Sequence, residues 1–201
     1  MTHRAYDLGA LLMARELSAS LGAPLVMSMV TRLLVDLNRS IGHPHLHREA
    51  VRNAQEREQI IADHYLPYRM QVENLLKKAM ARGLRTIHIS SHSFTPRLNG
   101  KVRTADVGLL YDPSRPGEAR ICARWKVALL RAAPDIRVRR NYPYLGKNDG
   151  FTTYLRHRYR PAAYIGVEVE INQAIVTGAR GRWVELRAAI IGSLRVALAS
   201  S

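Results

Sequence analysis

Cysteine is all but missing from this chain. Cys122 stands alone, so no intrachain disulfide can form, and a stapled secreted scaffold is excluded. Long apolar runs are missing too, and none approaches the roughly 18 residues that a membrane helix needs. The first residues, Met1 to Asp7, carry no apolar core of the kind a secretion signal has. These absences point to a cytoplasmic protein with no membrane partner. Acidic residues are scarce: 16 Asp and Glu face 31 Lys and Arg, a formal net charge of +15. Such a balance raises nucleic acid as a partner. Yet the basic residues are scattered, with only short clusters at Arg137-Val138-Arg139-Arg140 and Arg156-His157-Arg158-Tyr159-Arg160. Zinc-finger spacing, RNA-binding aromatic motifs and a long basic tail are all lacking. The distribution therefore argues against nucleic acid. A solvated basic surface, or a field that draws in an acidic small molecule, fits it better.

What is present suits one globular domain spanning residues 1–201, with enough chain for a sizeable core. Apolar spacing predicts a helix from Tyr6 to Leu21, stopped by Gly22. Leu25 to Val30 reads as a short buried strand, and residues 40–47 as a loop. Residues 48–64 read as a charged helix that Pro67 should kink or split, resuming over Tyr68 to Arg82. Met70, Val72, Leu75, Leu76 and Met80 are its expected buried side. Strands are expected at Thr86–Ser90, Val107–Tyr111, Ile136–Arg140 and Tyr164–Ile171. Helices are expected at Glu118–Ala132, Thr152–Arg158 and Gly181–Ala199. Strands alternating with helices predict an α/β fold in three layers, a mixed and mostly parallel sheet flanked by helices.

Three segments carry the chemistry: Asp36-Leu37-Asn38-Arg39, Ser91-His92-Ser93-Phe94-Thr95-Pro96 and Glu168-Val169-Glu170-Ile171-Asn172-Gln173. Each sits at or just past an apolar run, and strand carboxyl ends are where sites assemble in open α/β sheets. His92 can present a ring nitrogen to a metal while a neighbour fixes its tautomer, or it is a hydrogen-bonded structural histidine. Glu168 and Glu170 fall on one face of their strand, because side chains alternate. Buried carboxylates need a partner or a metal, so these two would activate water or hold a cation. An edge strand with one wet face is the alternative. Arg32, Asn38 and Arg39 offer a guanidinium and amide grip for a carboxylate, with Asp36 able to hold one arginine in place. His3 and Asp7, four apart, would share a helix face and ligate a metal or cap one another. His43, His45 and His47 alternate in a segment with Gly42 and Pro44, which reads as a surface loop. Tyr142 and Tyr144 lie in a turn-rich stretch that forms either a flap or simple packing.

These residues together resemble the N-formylglutamate amidohydrolase family, zinc-dependent hydrolases related in fold to carboxypeptidases and aspartoacylases. The likeness runs over nearly the whole chain. It is carried by His3-Arg4-Ala5-Tyr6-Asp7-Leu8-Gly9-Ala10, by Thr31 to Ser40, by Ser91 to Pro96, by Arg103 to Pro113, by Asn141-Tyr142-Pro143-Tyr144 and by Glu168 to Gln173. The resemblance implies a zinc-carboxypeptidase-like fold and a Zn2+ cofactor with His92 as ligand, His3 and Asp7 being further candidates. It implies that Glu170, or Glu168 one strand repeat earlier, activates the water and passes its proton to the leaving nitrogen. It implies that Asn38 and Arg39 grip a substrate carboxylate and that Arg32 stabilises the oxyanion, with Arg103 and Tyr144 as further substrate contacts. The implied substrate is a small acidic N-acyl amino acid. Family members usually open with a strand carrying a His-Gly or His-Ala segment, so the chain reads as N-terminally shortened relative to them. Two other readings stand beside this one. The first is a catalytically silent member that binds a carboxylate ligand; the second is a basic nucleic-acid-associated protein. A homo-oligomer is compatible with all three.

Overall fold

The computed structural model describes residues 5–48 and 51–199. Its centre is a four-stranded sheet in the order β1 (Thr86–Phe94), β6 (Tyr164–Asn172), β4 (Val107–Leu110), β5 (Val138–Arg140). β1 runs parallel to β6 and β4 parallel to β5, while β4 and β6 are antiparallel. A two-residue hairpin, β2 (Arg97–Leu98) with β3 (Lys101–Val102), follows β1. All nine residues of β6 are buried, as expected of a strand with neighbours on both edges. The wet-edge reading of Glu168 and Glu170 is thereby excluded.

Helices cover both faces. On one side lie α1 (Ala10–Leu21), α4 (Pro116–Ala132) and α7 (Arg180–Ala199). The buried residues of α4, Ile121, Cys122, Trp125 and Leu129, recur at helical spacing and meet Leu186, Ile190 and Leu194 of α7. Each such side chain contributes about 1.5–3 kcal/mol by leaving water. Trp125 also places its indole N–H on Ser193 Oγ at 3.1 Å, which satisfies its one polar atom. The opposite face is covered by α3 (Leu66–Ala81) and α5 (Phe151–Arg158), whose Val72, Leu76, Phe151 and Leu155 pack around Tyr164. The short helices α2 (Ala54–Ile60) and α6 (Gln173–Val176) complete the order. The predicted three-layer α/β architecture is what is found. No described helix is long and apolar enough to cross a membrane.

Four local expectations are corrected. The first helix starts at Ala10, not Tyr6, because Gly9 ends the preceding turn in a left-handed conformation, φ 81°. Asp7 therefore lies ahead of α1 and not on it; His3, its expected partner, lies outside the described residues. Leu25 to Val30 forms no strand, since among the described residues no strand pairs with it. Pro67 does not break its helix: a π-helical turn, Ile61–Tyr65, precedes it, and the proline falls in the first turn of α3. Met70 points outward, 58% exposed, rather than into the core.

Candidate active site

β1 runs on to Phe94, past the predicted end at Ser90, so His92 sits inside the strand. In the parallel register with β6, His92 stands beside Glu170 and Ser90 beside Glu168. The His92–Glu170 pair lies toward the carboxyl ends of the two strands, and the Ser90–Glu168 pair at their middle. The two glutamates share one face, as their spacing requires. Gly108 of β4 is the neighbour of Glu170 on the other edge. A Cβ at position 108 would lie 2.0 Å from the Tyr142 carbonyl oxygen and 3.2 Å from the Glu170 Cβ, so only glycine lets these approach.

His92 is the hub. Its Nδ1 is 2.8 Å from Asp7 Oδ2, and its Nε2 is 2.9 Å from Ser90 Oγ and 3.8 Å from Glu168 Oε2. Glu168 Oε1 accepts the Thr152 hydroxyl at 2.6 Å. The Oε2 of Glu170 is buried without a hydrogen-bond partner among the described residues. Asp7 is also ion-paired to Arg32 Nη1. Arg32 then donates through Nη2 and Nε to Asp36 Oδ2, at 2.9 and 3.3 Å. Asp36 was read as able to hold an arginine, and it does. Three of the five guanidinium N–H groups of Arg32 are so engaged, which leaves two for a ligand.

The charges respond to this packing. Burial pulls His92 down, but the hydrogen bond and charge of Asp7, then Glu170 and Glu168, carry it up to about 9. Burial raises Glu170 to about 8; His92 opposes this, while Asp7 and Glu168 add to it. Burial works against Asp7, yet His92 and Arg32 hold its carboxyl below the usual range. His88, four residues before His92 and bonded to Tyr164 Oη at 2.9 Å, is pushed down to about 4 by burial and by the charges of His92 and Arg156. At neutral pH the hub is thus an imidazolium beside a neutral Glu170 carboxyl.

The other predicted residues lie around this hub or apart from it. Asn38 takes the Phe151 backbone N–H at 2.7 Å, and Arg39 donates to the Asp149 carbonyl at 2.8 Å, so both hold the turn that opens α5. Asn38, Arg32, Asp7 and His92 line one cavity. Arg103 lies over the rings of Phe94 and Tyr144, at 5.8 and 4.9 Å, and its Nη1 is buried without a partner among the described residues. The Tyr142 Oη takes the Thr104 backbone N–H at 3.1 Å. His43, His45 and His47 hold a loop, where His47 Nδ1 meets the Leu34 carbonyl at 2.8 Å. Ser90 and Thr152, which touch the hub, were missed. A serine in a strand and a threonine in a helix carry no sequence signal until the register is known. Arg69 was missed too. It is buried among the rings of Tyr65, Phe151 and Tyr154 and donates to the Arg39 carbonyl at 3.1 Å.

As to metal, Asp7 and His92 are joined by a direct hydrogen bond, so Asp7 orients the ring. Among the described residues no three His, Cys, Asp or Glu side chains form a group able to hold an ion. His92 and Glu168 bring two donors, fewer than the three that catalytic zinc uses.

The model of the family described as N-formylglutamate amidohydrolase matches residues 1–177. A crystal structure of a gene product from Agrobacterium tumefaciens is 27% identical, with a TM-score of 0.80, and the match covers 99% of this chain and 80% of that one. The crystal structure of N-formylglutamate amidohydrolase from Ralstonia eutropha JMP134 is 19% identical, with a TM-score of 0.70, over 94% of this chain and 80% of that one. None of the curated proteins matches.

Proposed function

Because the chain belongs to the N-formylglutamate amidohydrolase family, we propose that it hydrolyses the amide of a small N-acyl amino acid bearing a free carboxylate, N-formylglutamate being the type substrate. The observation that carries this reading is that Asp7, His92, Arg32 and Asn38 line one cavity, with Asp7 bonded to His92 and Glu170 beside His92 in the strand register. The two free N–H groups of Arg32 suit an anionic oxygen of the substrate. The net charge of +15 favours the encounter with an acidic molecule.

Glu170 is the group that moves the proton. As a neutral carboxyl it donates to the leaving nitrogen; as a carboxylate it takes a proton from water. It reaches the second form above about pH 8, or lower when a positive charge comes beside it. His92, held in place by Asp7, faces the same reacting centre and supports negative charge that develops there. Arg32 adds to that support from the side of Asp7.

The cofactor that goes with this reading is zinc; His92 would hold it through a neutral ring nitrogen, so zinc would take the place of the ring proton and supply the positive charge there. The described donors do not complete a three-ligand centre, and His3, outside the described residues, is the remaining candidate of the family motif. The shortage of donors also favours a second reading, a member that binds a carboxylate ligand through Arg32, Asn38 and Arg39 without turnover.

The test is release of formate or another acid from a panel of N-acyl amino acids, with and without added zinc. Release that is abolished in Glu170→Gln supports the hydrolase. No release from any substrate, together with thermal stabilisation by glutamate that Arg32→Ala removes, supports the silent binder instead.

A further inference from the structure

Arg69 of α3 takes no part in the hub, yet it carries a charge and is only 4% exposed. Among the described residues no carboxylate forms an ion pair with it. Glu73, one turn on, is instead engaged by Tyr154 Oη at 3.1 Å and by Arg158 Nε at 3.4 Å. Arg69 Nη2 is buried and meets no partner among the described residues. A buried cation without a counter-ion is costly, and a neutral side chain would fill the same space at less cost. The charge and the fork of this arginine therefore call for a reason beyond packing.

The reason begins in the helix. The π-helical turn Ile61–Tyr65 leads the chain into α3, and such turns recur at functional sites. Tyr65 and Arg69, four apart, share one face. That face meets residues 37–39. Arg69 Nη1 donates to the Arg39 carbonyl at 3.1 Å and to the Tyr65 hydroxyl, and it lies 3.5 Å from the Leu37 carbonyl. Tyr65 Oη donates to the same Arg39 carbonyl at 2.8 Å. The carbonyls on either side of Asn38 thus face one guanidinium. That guanidinium also lies over the Phe151 ring, 4.1 Å from its centre. Phe151 supplies the backbone N–H that Asn38 Oδ1 accepts. Asp36 Oδ1 accepts the Asn38 backbone N–H at 3.2 Å. With Oδ1 occupied, the Asn38 amide nitrogen keeps two N–H donors for a ligand in the cavity that Asn38 lines.

We propose that Arg69 is a positioning residue for this site. It clamps the carbonyls around Asn38 and, through the Phe151 ring, the donor that turns the Asn38 amide, so that the amide nitrogen meets a ligand carboxylate. This rests on the reading of Asn38 as part of a carboxylate grip. Arg69 does not line the cavity and acts only through Asn38.

Two variants of the intact chain test this. Arg69→Met packs on the rings and makes no hydrogen bond. Arg69→Lys keeps the charge without the fork, and it carries the same comparison where loss of the guanidinium unfolds the chain. The first readout is amide exchange, which needs no substrate. In Arg69→Met the Phe151 N–H exchanges about tenfold faster, and less so in Arg69→Lys, while Val72 and Leu76 of α3 exchange as in the parent. The second readout is the affinity for glutamate by calorimetry. Its Kd rises about tenfold in Arg69→Met and recovers in part in Arg69→Lys. In an Asn38→Ala background, Arg69→Met weakens binding no further. Unchanged exchange at Phe151 overturns the proposal. Equal acceleration throughout α3 and α5 overturns it too, and makes Arg69 a packing residue. Independent, additive losses from Arg69→Met and Asn38→Ala also overturn it. A parent that binds no glutamate overturns the carboxylate grip itself, while exchange at Phe151 still decides the clamp.

Discussion

His92 is tied through Nδ1 to Asp7 Oδ2 at 2.8 Å, across 85 residues of sequence. A turn ahead of α1 thus sets the orientation and charge of a ring near the carboxyl end of β1. Asp7→Asn keeps the shape and removes the charge. The imidazole of His92, which titrates at about 9 in the parent, shifts down in this variant. NMR titration of the ring protons reads this directly, and an unmoved titration would show that Asp7 does not govern His92.

Stability should fall as pH rises from 6.5 to 9. His92 is raised to about 9, so its contribution is complete below its ordinary value of 6.5 and is lost as pH passes 9. Glu170 is raised to about 8, so the folded state holds its proton more tightly than the unfolded chain does. That advantage is complete below 4.5 and is lost as pH passes 8. His88, pushed down to about 4, adds no slope above 6.5. Thermal unfolding across this window measures the slope, and Glu170→Gln flattens it. A midpoint that rises with pH between 6.5 and 9 would contradict the charge states described.

Zinc content by elemental analysis decides whether the cofactor belongs to this chain. The proposal expects zinc retained after desalting in the parent and lost in His92→Ala. Loss in His3→Ala as well would identify the donor that the described residues lack. Zinc missing from the parent removes the cofactor and leaves carboxylate binding as the reading to pursue.

The largest cost to folding should come from the far side of the sheet. Glu118 is fully buried, accepts Arg156 Nε at 3.0 and 3.1 Å, and takes the backbone N–H groups of Gly166 and Asp112 at 3.1 and 2.8 Å. Glu118→Ala strands the Arg156 charge and two amides, so a loss of about 3–5 kcal/mol is expected in urea unfolding. Gly108→Ala, which meets the Tyr142 carbonyl, should cost about 1–3 kcal/mol by forcing the backbone aside.

Much of the fold was legible from residue pattern. β4 and β6 are apolar runs of strand length, and α4 and α7 repeat apolar residues at three and four, so each announces its buried face. The pattern misled where a neighbour decides. Leu25 to Val30 has the side chains of a strand, but a strand exists only by hydrogen-bonding to another, and among the described residues none pairs with it. Pro67 should disrupt a helix, yet the π-turn over Ile61–Tyr65 removes the conflict before the proline arrives. The α1 boundary slipped because apolar spacing from Tyr6 ignores what Gly9 does to the backbone.

The chain order alone set which residue types were available to the site: an imidazole and carboxylates near strand ends, and arginines in the segment that follows the irregular stretch. Alternation along β6 was enough to place Glu168 and Glu170 on one face, because a strand's period is two. The tertiary structure decided which of these groups meet. Register between β1 and β6 put His92 against Glu170, and the turn at Asp7 brought a carboxylate to the ring. It also decided their charge, since burial and close partners move a proton where composition cannot.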